Sequence, residues 1–106
     1  MKTPGQSRLE QLLDEYGHPI PISWSVPLES SEYDDNIGLV IHDSIKAIEA
    51  TAIKREVYVN LVTPACHGEP GQYLIPALEE YFHDSIEYRF ISQCGCGGYV
   101  LRVWRK

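Results

Sequence analysis

The sequence predicts an α/β domain of α+β character: a single-layer, four-stranded mixed sheet with helices packed on it, in the order α-β-α-β-α-β-β. Three observations carry this. Ile37, Ile41, Ile45, Ile48 and Ala52 recur at the three- and four-residue steps of one helix face. The run 56–63 is β-branched and apolar almost throughout, as a buried strand requires. Two strand-like runs, 86–91 and 99–104, flank a glycine-rich pentapeptide that reads as a hairpin tip.

Taken in order, residues 1–21 read as an N-terminal helix and a proline-rich connector, and 22–106 as one α/β domain. Leu9, Leu12, Leu13 and Tyr16 fall at helical spacing, with Ser7 as N-cap, Gly17 at the C′ position and Pro19 as a stop. This short helix has one apolar stripe. Packing on its own domain is the plainer expectation, and a contact in a homodimer is the alternative. His18-Pro19-Ile20-Pro21 is a stiff connector. Residues 23–28 form the first strand, and Pro27 places it near the strand's end or on a sheet edge.

The acidic link 29–35 follows, with Asp34 or Asp35 able to cap the isoleucine-striped helix. The strand 56–63 is expected at the centre of the sheet, covered on both faces. The loop 64–69 leads to Pro70, suited to a first helical turn. Leu74, Ala77, Leu78 and Tyr81 line one face of the helix that follows. Ile86, Tyr88 and Phe90 then alternate inward on the third strand. Two strand–helix–strand units imply crossover connections, with the final antiparallel strand at one side of the sheet. Thioredoxin-like domains share this element order. Their Cys-x-x-Cys after the first strand is replaced here by Glu29-Ser30-Ser31, and no proline precedes Ile86.

Composition narrows the function classes. The chain has 106 residues, 43% of them hydrophobic, and a formal net charge of -6, which fits one globular domain and not a general nucleic-acid binder. Arg102, Arg105 and Lys106 make only a small basic patch. No apolar run approaches the ~20 residues of a membrane helix. The N-terminus lacks the apolar region of a secretory signal, and three cysteines make no disulfide framework. A cytoplasmic protein with reduced thiols is the expectation.

The pentapeptide Cys94-Gly95-Cys96-Gly97-Gly98 holds two of the three cysteines and three of the eight glycines. A tight turn explains the glycines, which accept positive φ freely. It does not explain two thiols one residue apart. They can bind a soft metal as thiolates, form a strained and easily reduced disulfide, or be covalently modified by another enzyme. The plainer alternative is a turn whose cysteines are incidental.

Cys66-His67 is a second cluster, in the loop after the 56–63 strand. If that strand runs parallel to 86–93, both C-terminal ends share the sheet edge at which open α/β sheets bind ligands. Cys94, Cys96, Cys66 and His67 would then make a Cys₃His set suited to zinc or to iron, including an Fe–S site, and so to a metal-binding or thiol redox protein. An ordinary polar loop is the plainer account of the last two. His42 and His83 read as surface or helix-end residues. No nucleophilic triad, phosphate-binding loop or dinucleotide fingerprint is present, so the chain reads more as a substrate or binding protein than as an enzyme.

The segments Ser23-Trp24-Ser25, Val59-Asn60-Leu61-Val62-Thr63, His67-Gly68, Tyr73-Leu74, Ala77-Leu78-Glu79 and above all Gln93-Cys94-Gly95-Cys96-Gly97-Gly98-Tyr99-Val100, followed by Arg102-Val103, resemble the CGCGG family. The resemblance covers about residues 23–104, one whole domain. It implies a ribosomally made peptide modified by a partner radical-SAM enzyme, with Cys94, Cys96 and their glycines as the site of modification. His67-Gly68 would belong to a neighbouring histidine–glycine loop, which is less histidine-rich here. Cys66 and the N-terminal helix depart from the family pattern.

Overall fold

The computed structural model describes residues 19–28, 31–93 and 98–106. The expected N-terminal helix therefore lies outside the described residues. The elements are β1 (Trp24–Pro27), α1 (Ile37–Ala50), β2 (Tyr58–Thr63), α2 (Pro70–Phe82), β3 (Ile86–Gln93) and β4 (Tyr99–Arg105). Short 3₁₀ turns at Ser31–Tyr33, Ala65–His67 and His83–Ser85 join them. The strands form one mixed sheet in the order β1-β2-β4-β3. β1 pairs parallel to β2, and β4 pairs antiparallel to both β2 and β3. The four-stranded mixed sheet with helices packed on it is the architecture the sequence predicts.

β4 does not lie at one side of the sheet. It is inserted between β2 and β3, where Leu101 and Val103 are covered, at 0% and 1% exposed. The inward alternation of β3 accordingly fails after Ile86. Tyr88 and Phe90 share the helical side with Val103 and Leu101 but remain 38% and 47% exposed, because the helices cover the outer strand only in part. A bulge at Ile91 breaks the register between Phe90 and Ser92.

β2 is central in pairing but buried on one face only, with burial alternating along its six residues. Both helices lie on that face. Val26, Val59, Leu61, Leu101 and Val103 of the sheet join Val40, Ala47, Ile48, Leu74, Leu78 and Phe82 in one core. The opposite face carries a polar ladder: Arg102 Nε donates to Asn60 Oδ1 at 2.9 Å, and Asn60 Nδ2 to Ser25 Oγ at 3.3 Å. The Arg102 guanidinium also sits 4.0 Å over the Tyr58 ring.

The helices differ from their predicted faces by a small rotation. In α1 the buried set is Val40, Asp43, Ser44, Ala47, Ile48 and Ala50. Ile37 is 41% exposed, Ile41 and Ile45 pack at the margin, and Ala52 lies beyond the helix. The cap is Asn36, one residue past the two aspartates, whose Oδ1 accepts from Leu39 N at 3.0 Å. In α2, Pro70 begins the helix as expected, and Phe82 takes the buried place assigned to Tyr81. Tyr81 points outward and donates to Glu49 at 3.0 Å. Ile20, within the proline-rich connector, is fully buried; it accepts from Ala52 N and donates to Ala50 O beside α1.

Candidate functional site

Sheet direction gathers the chemistry-bearing loops. β1, β2 and β3 all run toward one edge, and β4 starts from it. There Tyr99 pairs with Thr63 on one side and Gln93 on the other. Two strand spacings therefore separate the end of β2 from the end of β3, about 10 Å. Cys66 and His67 follow β2 at this edge, and the pentapeptide lies in the chain between Gln93 and Tyr99. Gly98 is buried at the entry to β4. Cys94, Gly95, Cys96 and Gly97 lie outside the described residues.

The Cys66–His67 turn is fixed by contacts the sequence did not reveal. His67 Nε2 lies 2.6 Å from the Tyr33 carbonyl oxygen. A carbonyl only accepts, so Nε2 carries the proton, and in the neutral ring Nδ1 keeps the lone pair. The Cys66 thiol, exposed and free, points to the Asp34 carbonyl at 3.5 Å. Tyr33 is held in turn by its hydroxyl, which donates to Asp43 Oδ2 at 2.7 Å. Asp43 is 2% exposed and also meets His42 Nδ1 at 3.1 Å. One chain of contacts thus runs from α1 through the turn after β1 to the His67 ring. Nothing in residue spacing marks Tyr33 as the support of His67, since 34 positions separate them.

Gly68 closes the turn at φ 78°, ψ -166°, a region essentially confined to glycine. A Cβ there would also meet Gln72 Oε1 at 3.4 Å. Gly68→Ala is expected to cost about 1–3 kcal/mol and to loosen His67. Denaturant melts read the first effect, and the ring proton shifts of His67 the second.

Tyr73 stands edge-on to His67, with ring centroids 6.0 Å apart. Its hydroxyl is buried without a hydrogen-bond partner, and burial raises its pKa above the ordinary 10.0. The nearby Thr63 hydroxyl offsets part of the rise, although Thr63 Oγ1 itself donates to Tyr99 O at 3.4 Å. The Cys66 side chain, negative when ionised, adds to it. Tyr88 and Tyr81 also ionise late, because each donates to a carboxylate, Glu79 and Glu49 respectively.

A raised tyrosine pKa means that the unfolded chain releases the proton first. The stability tied to Tyr73 is therefore whole below pH 10 and is lost as pH rises through the folded value. In an alkaline titration, Tyr73, Tyr81 and Tyr88 should ionise above 10.0 by phenolate absorbance, and Tyr73→Phe should remove one late step.

Among the described residues no group of three or more His, Cys, Asp or Glu side chains could hold a metal. Cys66 and His67 make two donors, and the other two expected ligands, Cys94 and Cys96, lie outside the described residues. The site as described is a positioned imidazole and a free thiol beside the stem of a two-stranded ladder. No helix among the described residues is long and apolar enough to cross a membrane.

Fold and site together define a small α+β domain that carries a cysteine–glycine pentapeptide between two paired strands. The family model described as "Putative radical SAM target protein" matches residues 13–106, and the chain belongs to that family. No curated protein and no solved structure matches the chain.

Proposed function

We propose that this chain is a CGCGG-type substrate for a partner radical-SAM enzyme, which modifies Cys94-Gly95-Cys96-Gly97-Gly98, and that the reaction takes place in the cytoplasm, where thiols stay reduced. The observation that carries this reading is the β3–β4 ladder. Its pairing continues to Gln93 and Tyr99, the residues that bracket 94–98. A stem hydrogen-bonded to its last pair limits where the intervening residues can go, and an enzyme acting on them then spends less binding energy on ordering its substrate. Family membership supplies the class of partner. The test is the intact mass of the protein purified from its native host. A mass increment or loss localised to 94–98, and absent from Cys94→Ser and Cys96→Ser variants, is expected. The mass of the unmodified chain under those conditions would refute the reading.

A second reading is favoured by the geometry of His67. A histidine that ligates a metal through one nitrogen commonly donates its other N–H to a carbonyl, as Nε2 does here. In this reading Cys94, Cys96, Cys66 and His67 hold zinc or iron. Anaerobic purification followed by metal analysis decides it: metal present in the wild type and lost in Cys94→Ser supports it, and a metal-free protein rules it out.

A further inference from the structure

At the sheet edge remote from the pentapeptide lies an open groove of about 560 Å³, formed by the turn at 53–55, the start of β3 and the end of β4. Lys54, Arg55, Arg89, Arg105 and Lys106 line it, five of the nine lysines and arginines of a chain whose net charge is -6. Glu87 is the acid that faces them among the described residues. Arg105 has a structural role, since its Nη1 donates to the carbonyls of Glu49 and Thr51 and ties β4 to the end of α1. The others are exposed, and no ion pair among the described residues joins Lys54, Arg55, Arg89 or Lys106 to an acid. Like charges gathered in a concavity repel one another and focus a positive field outward. In so acidic a chain, carboxylates to neutralise them are plentiful, yet among the described residues Glu87 alone lines the groove. Ile53, 59% exposed, and the half-buried Trp104 supply an apolar wall.

We propose that this groove docks an acidic peptide segment of the protein partner that modifies the pentapeptide; this rests on the reading given above. Charge complementarity names the chemistry of the occupant. The cations come from three chain segments along an open groove, which suits several carboxylates along a peptide better than one small anion. The negative charge of the whole chain opposes a long polyanion such as nucleic acid, whereas a short acidic segment meets the local field. Arg105 and Lys106, at the far end of β4, stand about 20 Å along the strand from Tyr99, the residue that follows the pentapeptide in the chain. A docked partner therefore leaves the pentapeptide free to enter a reaction centre.

The experiment titrates the isotope-labelled full chain with an octaglutamate peptide at low salt and follows amide resonances. Saturable shifts are expected at 53–55, 87–89 and 104–106 and at the Trp104 indole, weakened by added salt. They should vanish in a Lys54→Glu/Arg55→Glu/Arg89→Glu variant whose remaining spectrum is unchanged. Expressed in the native host, that variant should lose the mass change at 94–98. No saturable shift at the groove would overturn the proposal. So would equal shifts from inorganic phosphate, or undiminished modification of the triple variant. Groove shifts that persist in Cys94→Ser/Cys96→Ser, together with no mass change in the wild type, would refute the modification reading and leave the groove's acidic-peptide specificity standing.

Discussion

Trp24→Ala is expected to destabilise the domain by about 3–5 kcal/mol. Trp24 is 5% exposed on β1, and its ring belongs to the one core shared by sheet and helices. Truncating a buried aromatic removes its transfer free energy and leaves a cavity that a close-packed interior refills only in part. The indole also makes a polar contact. Nε1 donates to Thr51 Oγ1 at 2.9 Å, and that hydroxyl donates to the Ala47 carbonyl at 2.8 Å at the end of α1. β1 is an edge strand of four residues, paired on one side only, so Trp24 and Val26 carry its packing on the core.

Urea melts should show the midpoint fall with little change in slope. A domain of this kind has a total stability of about 5–15 kcal/mol, so the variant keeps only a fraction of it. Trp24→Phe retains most of the apolar area and loses the donor, and should cost less than half as much. With two tryptophans in the chain, the loss of Trp24 should leave the emission of the more exposed Trp104 alone. A cost for Trp24→Ala below about 1 kcal/mol would contradict this account.

Periodicity made the order of elements legible, and the structure shows where periodicity stops. The four isoleucines of α1 keep helical spacing, but a face centred on Val40, Ser44 and Ala47 keeps it equally well. Small residues at 44 and 47 allow close approach to the sheet, and long isoleucines at 41 and 45 then fit the margin. The choice depends on what faces the helix, which the helix's own sequence does not contain. The same holds for β4. Alternation identifies it as a strand, but β3 and β4 carry two charged residues each, so their composition does not say which of them takes the edge. Tyr81 and Phe82 are adjacent and both aromatic, and only the position of Glu49 separates their roles.

The residue types proposed for the site stand out in the sequence, and what supports His67 does not. Cysteine, histidine and glycine stand out by type, and the parallel run of β2 and β3 brings the ends of both strands, Thr63 and Gln93, to one edge, as their order along the chain suggests. The groups that fix His67 are a backbone carbonyl at 33 and a carboxylate at 43. A carbonyl belongs to every residue and so leaves no mark in a sequence. Lys54, Arg55 and Arg89 likewise stand far along the chain from Arg105 and Lys106, and only the fold brings them to one groove.

Asp43→Ala should cost about 2–3 kcal/mol, the range of a buried hydrogen bond to a charged group, and its effect should reach the site. Asp43 accepts from Tyr33, and the Tyr33 carbonyl accepts from His67, so the substitution releases the turn after β1 from α1. Tyr33→Phe removes the same bond from the other side, leaving the carboxylate buried beside His42. The two changes should therefore not add. In a double-mutant cycle the interaction energy is expected to be about 1.5–3 kcal/mol, since the Tyr33–Asp43 bond is already gone when the second substitution is made.

A structural bond alone would end there, but this one supports an imidazole. In Asp43→Ala the His67 ring should lose its fixed tautomer, and its nitrogen shifts should move toward the averaged values of a freely exchanging histidine. Asp43→Asn keeps an acceptor at the same place and should retain both most of the stability and the His67 signature. Full additivity of Asp43→Ala and Tyr33→Phe, or an unmoved His67 spectrum, would show that the line of contacts from α1 to the site transmits nothing.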